Sequence, residues 1–145
     1  MNMGYTLAET LVVLAIVAVL AGIGGPALIS ALPGAEMNRA TRTIASMCRH
    51  ARFEAIKRNA DIRFNCDMQK NICEIRVRDD GTLLRRFDLN NLRYSIGQAK
   101  SFTTHFTGLG RATVAGTVTL QNNTGLSRAV TVRPSGSVVT KDGDE

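Results

Sequence analysis

Residues 4–32 read GYTLAETLVVLAIVAVLAGIGGPALISAL, and this stretch decides how the rest of the chain is organised. Residues 11–32 contain no charged side chain. As an α-helix they would measure about 33 Å, enough to cross the hydrocarbon core of a bilayer. Leu, Val, Ile and Ala occupy all sides of such a helix, as in a helix that is embedded in lipid or wholly buried. The sequence therefore predicts one apolar helix near the start of the chain.

Glu9 sets this helix apart from a plain anchor, because it is the only charged residue among the first thirty-five. A carboxylate at the head of a lipid-facing helix is costly, so it should have a partner or a function. The alternative is that Glu9 lies at the headgroup boundary and interacts with the helix dipole. If the chain were cut after Gly4, the new α-ammonium of Tyr5 would lie four residues before Glu9. Lateral association, with one subunit's Glu9 meeting another's amino terminus, would then be possible.

Glycines and prolines interrupt the helical pattern at two places. Each of Gly22, Gly24 and Gly25 lowers helix propensity by about 1 kcal/mol, and Pro26 lowers it by about 3 kcal/mol. We expect a kink or local melting around residues 22–26, and a second interruption at residues 33–34.

Residues 36–59 predict an amphipathic helix, because small and apolar residues recur there at steps of three and four. Arginines share another side of this helix and are interpreted as a solvated face: Arg39, Arg42, Arg49 and Arg52.

After residue 59 the apolar period changes to two, which indicates β-strands. Strands are expected at 62–66, 72–78, 83–87, 101–106, 117–120, 129–132 and 137–140. Because no helix separates them, antiparallel β-structure packed on the amphipathic helix is expected, and the fold class is α+β.

Cys66 and Cys73 flank the six residues DMQKNI, which can form the turn of a hairpin. The spacing allows a disulfide across that turn, and the alternative is two reduced, buried thiols. Cys48 would be left over. The three cysteines and two histidines lack zinc-site spacing, and no catalytic motif is present, so we expect no metal, no cofactor and no enzyme.

Residues 89–140 carry five basic residues and no acidic one, within a chain of net charge +6. A surface field of one sign can hold polyanions such as DNA, or it can simply be solvated. The candidates for DNA contact are Lys100, Arg111, Arg128 and Arg133.

The start of the chain resembles the class III signal of type IV pilins and pseudopilins, in which Gly4-Tyr5-Thr6-Leu7-Ala8-Glu9 precedes a long apolar run. Residues 51–59, ARFEAIKRN, resemble a signature of the GspH/FimT-like branch, as do the stretches 106–111 and 130–138. Some members that act in DNA uptake carry a Gly-Arg-x-Arg motif, where this chain has Gly125-Leu126-Ser127-Arg128.

The resemblance implies a pilin-like fold in which a long helix packs on an antiparallel β-sheet head. It implies a leader peptide (residues 1–4), a transmembrane and filament-core helix (5–32), and an amphipathic helix with a periplasmic β-rich head (33–145). A prepilin peptidase would cleave after Gly4 and Tyr5 would be methylated, while Glu9 and Pro26 would act in assembly.

The function implied is that of a minor pilin. It would wait in the inner membrane and join other minor and major pilins at the tip or priming complex of a type IV pilus. Contact with double-stranded DNA during natural transformation would be an added property. The alternative is a GspH-like pseudopilin of a type II secretion system.

Overall fold

The computed structural model describes residues 6–67, 69–91, 101–122 and 125–142, without the side chains of residues 23–31, 91 and 142. The chain divides into two units, Met1–Leu32 and Pro33–Glu145. Helix α1, Leu7–Arg58, begins in the first unit and ends in the second.

The backbone of α1 is helical through residues 22–26 and 33–34, so the helix is not melted at either place. A proline within a helix removes one hydrogen bond and can kink the helix without ending it. The helix ends at Arg58, and the next residue, Asn59, has a left-handed φ of 49°. The Asn59 and Ala60 amides donate to the carbonyls of Ile56 and Ala55, which is a Schellman cap.

The described residues after α1 form strands at all of the predicted positions. They are β1 (Ile62–Asp67), β2 (Ile72–Val77), β3 (Leu83–Asp88), β4 (Phe102–Phe106), β5 (Gly116–Gln121), β6 (Ser127–Val132) and β7 (Val138–Asp142). The strands form two antiparallel sheets, of order β3-β2-β1-β4 and β5-β6-β7. The α+β class is confirmed, and the head contains two sheets where one was expected.

One hydrophobic core joins the second half of α1 to both sheets. The helix contributes a stripe of buried residues: Met37, Ala40, Ile44, Ala45, Met47, Cys48, Ala51 and Ala55. Phe64 and Phe106 come from the first sheet, and Val118 and Val130 from the second. Glu54 is buried beside them, and its carboxylate accepts a hydrogen bond from Arg58 Nε at 2.6 Å, which lowers the pKa of Glu54.

Cys66 and Cys73 are directly opposite in the β1–β2 hairpin, and the structure joins them in a disulfide. Within the turn, the Asp67 carboxylate accepts the amides of Gln69 and Lys70. Cys48 is a free, fully buried thiol, and burial raises its pKa to about 12.

We expect a reducing agent to lower the free energy of unfolding of the oxidised chain by about 2.5 kcal/mol. The bridge spans a sequence separation of seven, and reduction releases the loop entropy of a short segment in the unfolded state. Denaturant titration of the full chain in detergent, with and without dithiothreitol, measures the difference. The C66A/C73A variant should be insensitive to the reductant, and an equal response in both proteins would contradict the prediction.

His105 makes the stability of the head depend on pH. It lies opposite Arg63 on β1, and its Nδ1 is buried and lacks a hydrogen-bond partner within the described part of the chain. Burial, followed by the positive charges of Arg63 and Arg78, lowers the pKa of His105 below its usual 6.5.

The unfolded chain therefore binds a proton at His105 more readily than the native chain, and stability should fall as pH falls through about 6.5. Thermal unfolding between pH 7.5 and pH 5 measures this slope, which H105Q should reduce. R133Q, which removes a charge from another surface, should retain it. A wild-type slope in H105Q would refute the assignment to His105.

Candidate functional site

Glu9 lies in the first turn of α1, and its side chain is exposed. Thr6 caps this turn: its carbonyl accepts the amides of Glu9 and Thr10 at 3.1 and 3.2 Å, and its hydroxyl accepts the Glu9 amide at 3.3 Å. The role of Thr6 was not predicted, although a threonine three residues before a glutamate is the sequence signature of a capping box. Glu9 is therefore held at the start of the helix, in the region that carries a partial positive charge.

The side chains on either side of Glu9 in the sequence form an apolar surface on all sides of α1. Nine large residues are each more than half exposed: Leu7, Leu11, Val12, Val13, Leu14, Ile16, Val17, Val19 and Leu20. Contiguous apolar surface of this extent marks a site of contact with protein or lipid. Among the described residues, no helical stretch combines the length and the hydropathy that a membrane crossing requires.

Three of the predicted processing and assembly residues are described in part or not at all. Gly4 and Tyr5 lie outside the described residues. The backbone at Pro26 is part of α1, and its side chain lies outside the description.

Two of the four predicted DNA contacts, Arg111 and Arg133, are exposed and lie on neighbouring turns. The first turn is closed by the Thr107 amide, which donates to the Arg111 carbonyl at 2.9 Å, and the second by the Arg133 amide, which donates to the Ser137 carbonyl at 2.9 Å. The Ala112 amide donates to the Pro134 carbonyl at 3.1 Å and joins the two turns. We call the pair of turns, residues 107–111 and 133–137, the basic turns.

Arg52 of α1 fastens the basic turns to the helix. Its Nη1 donates to the Gly136 carbonyl at 3.4 Å. Gly110 and Gly136 both have φ values near +75°, at 73° and 76°. A Cβ at Gly136 would collide with the Gly110 carbonyl, and one at Gly110 would lie 2.7 Å from Ile56 Cδ1. The turns therefore need glycine both for their backbone conformation and for their close packing on α1.

Arg52 was assigned from the sequence to a solvated arginine face, and this is wrong. Arg39, Arg42 and Arg49 are exposed, whereas Arg52 is half-buried and its Nε is covered. The sequence does show two later turns, Gly-Leu-Gly-Arg at 108–111 and Pro-Ser-Gly at 134–136. It does not show that these turns pack on α1 at Arg52, because that contact depends on long-range packing.

The other two candidates do not join this cluster. Arg128 lies near the start of β6, five residues from Arg133, or about 17 Å along an extended strand. It is half-buried, and it shares the core-facing side of the strand with the buried residues Val130 and Val132. Lys100 lies outside the described residues.

Two exposed apolar side chains lie at the basic turns, Leu109 in the first turn and Ile56 of α1 beside Gly110. Leu109 is 83% exposed, and Phe53 and Ile56 on α1 are 58% and 50% exposed. Phe53 and Ile56 are one turn apart, so they are neighbours on the helix surface. Phe53 is therefore an exposed aromatic ring on the helix surface next to Ile56.

The described residues contain no group of three or more side chains suited to holding a metal ion. The Cys48 thiol is protonated at neutral pH because burial raises its pKa to about 12, so it is a poor nucleophile. The arrangement is suited to binding: an apolar helix with one acid at its head, and a basic pair beside exposed apolar side chains.

The structure is similar to solved pilin and pseudopilin structures. The type IV minor pilin FimU of Pseudomonas aeruginosa strain PAO1 has a TM-score of 0.64 and 20% identity, over 79% of this chain and 94% of FimU. The minor pseudopilin EpsH from the type 2 secretion system of Vibrio cholerae has a TM-score of 0.59 and 13% identity, over 76% of this chain and 99% of EpsH. At these identities the likeness shows a shared fold.

A sequence search of curated proteins gave no match. The family model of the type II transport protein GspH matches residues 40–136, which is more than half of the chain and covers most of the core-facing helix stripe and of the basic turns. The chain therefore belongs to the GspH family of minor pilins and pseudopilins.

Proposed function

We propose that this protein is a minor pilin that is made as a membrane-bound precursor, cleaved after Gly4 and built into the tip or priming complex of a type IV pilus. The observation that carries the proposal is the uncovered apolar surface of Leu7–Leu20 with Glu9 in its first turn. In the precursor, residues 11–32 lie in the inner membrane with the head in the periplasm, and in the filament other pilins cover them. Its role is structural.

The position of Glu9 supports assembly by charge pairing. Cleavage by a prepilin peptidase places the amino group of Tyr5 four residues from Glu9 on the same chain and frees it for a neighbour's Glu9. In lipid or in a filament core, an unpaired carboxylate is costly, so the pair would favour one alignment of adjacent helices. Pro26 and the glycines near it give the helix a weak point where it can yield during assembly.

We expect two variants to fail at different steps. G4L should accumulate at precursor mass, because a bulky side chain blocks cleavage. E9Q should be cleaved normally but be incorporated into filaments roughly tenfold less, because one amino terminus loses its partner. Gel mobility and immunoblotting of sheared pili measure the two steps.

N2L, which adds bulk within the leader but away from the cleavage site, is the matched control and should behave as wild type. Normal cleavage and normal piliation in G4L would refute the proposal.

The alternative, a pseudopilin of a type II secretion system, is favoured by the GspH family match and the likeness to EpsH. Deleting the gene distinguishes the two. Loss of piliation with normal secretion favours the pilus, and loss of secretion with normal piliation favours the pseudopilus.

We further propose that the basic turns contact double-stranded DNA during uptake. Arg111 and Arg133 are exposed on adjoining turns, and the region from residue 101 to 140 contains no acidic residue that would repel phosphate. Contacts to phosphate would give binding that is independent of sequence and weakens with salt.

We expect R111Q/R133Q to weaken binding of a duplex and to reduce the salt dependence of log K by about two, or about one for each lost phosphate contact. Fluorescence anisotropy of a labelled duplex, with the full chain in detergent at several salt concentrations, measures both quantities. R63Q/R86Q removes the same charge from the first sheet and should have a smaller effect. Equal losses in the two double variants would show that only net charge matters.

A further inference from the structure

A second group of basic residues, distinct from the basic turns, lies between α1 and β3. An open cleft of about 400 Å³ is lined by Arg39 and Arg42 of α1 and by Arg85 of β3. The hydrogen-bonding side chains of Asn38, Thr43 and Ser46 complete its polar lining.

The register of the first sheet places Arg85 in this cleft. Arg85 lies opposite Ile75 of β2, and Ile75 is fully buried in the core under α1. Residues opposite each other in an antiparallel pair point to the same face of the sheet. Arg85 therefore lies on the helix-facing side of the outer strand, and Arg39 and Arg42 lie one helical turn apart on the facing helix.

The three guanidinium groups have no carboxylate partner among the described residues, whereas Arg58, Arg76, Arg78 and Arg86 each form an ion pair. Of the acids on the neighbouring elements, Glu74 pairs with Arg76 and Arg86. Glu36, one turn before Arg39, does not line the cleft. Three like charges facing one space repel each other, and an anion between them would remove that repulsion.

We propose that this cleft binds the phosphate group of an anionic phospholipid at the membrane surface. The planar guanidinium group matches phosphate with two parallel hydrogen bonds, and the neighbouring hydroxyl and amide groups suit a glycerol headgroup.

A lipid source is favoured over a free phosphate by sequence position. Arg39 and Arg42 follow the last residue of the uncharged stretch 11–32 by seven and ten residues, so they are close in sequence to the periplasmic end of the proposed span. Basic side chains near a bilayer surface attract anionic lipid headgroups. This inference rests on the proposed membrane residence of the precursor.

The test uses the full chain in mild detergent with an equimolar mixture of phosphatidylglycerol and phosphatidylcholine. Native mass spectrometry counts the adducts of each lipid. The wild-type chain should retain phosphatidylglycerol preferentially. R39Q/R42Q/R85Q should lower the ratio of the two adducts by about tenfold or more, since each basic residue at an anionic surface strengthens binding about fivefold.

The matched control is K57Q/R63Q/K141Q, which removes the same total charge from exposed positions outside the cleft and should keep the ratio within about twofold of the wild type. Circular dichroism melting establishes that both triple variants are folded. Equal adduct counts for the two lipids in the wild type would overturn the inference, as would equal losses in both triple variants. Displacement of phosphatidylglycerol by excess inorganic phosphate would overturn the lipid assignment.

Carbonate extraction of cell membranes separates this inference from the proposed function. A chain that resists extraction and is cleaved after Gly4, yet shows no lipid preference, would refute the lipid site alone. A chain that carbonate removes from the membrane would refute membrane residence and, with it, the lipid site.

Discussion

The fold depends on one stripe of α1, from Met37 to Ala55, that two separate sheets must share. The described strands of the first sheet form no hydrogen-bonded ladder with those of the second. The stripe and the side chains packed on it provide a common surface, and the hydrogen bond from the Ala112 amide to the Pro134 carbonyl joins the turns that follow β4 and β6. Ala40, Ala51 and Ala55 are fully buried and small, so strands can approach the helix closely there, while Ile44 and Met47 fill the wider gaps.

The arginines of α1 show how strands decide the environment of a helix face. Arg39, Arg42 and Arg52 belong to one pattern in the sequence, but they meet different partners. The turn after β6 brings the Gly136 carbonyl to Arg52 Nη1, and the Nε of Arg52 is covered. The outer strand β3 brings another arginine to Arg39 and Arg42. One is used to hold the head together, and the others remain available to an external anion.

The sequence was sufficient to predict the strands, because alternation of apolar and polar residues is a local signal that survives in every strand from Ile62 to Thr140. It did not predict the division into two sheets, which depends on β4 pairing with β1 across a long separation. The melting expected from Gly and Pro propensity is absent from the described backbone of α1, because propensity is a weak local signal that does not by itself decide where a helix ends. Likewise, the turns that carry Arg111 and Arg133 are joined by a long-range hydrogen bond from the Ala112 amide to the Pro134 carbonyl. The spacing of these residues in the sequence does not predict that bond. Glu9 could be identified from the sequence, because the only charged residue among the first thirty-five is recognisable without knowledge of the fold.

The chain has three cysteines, and the burial of Cys48 helps to preserve the disulfide between Cys66 and Cys73. Cys48, Cys66 and Cys73 share the same core, so a reactive third thiol there could exchange with the bridge. Exchange requires a thiolate, and at a pKa of about 12 only about one Cys48 thiol in 10⁵ is ionised at pH 7. The free Cys48 thiol is therefore too rarely ionised to attack the Cys66–Cys73 disulfide at a significant rate. A head that oxidises once, with Cys66 joined to Cys73, is protected from shuffling into either of the other two pairings for as long as it remains folded.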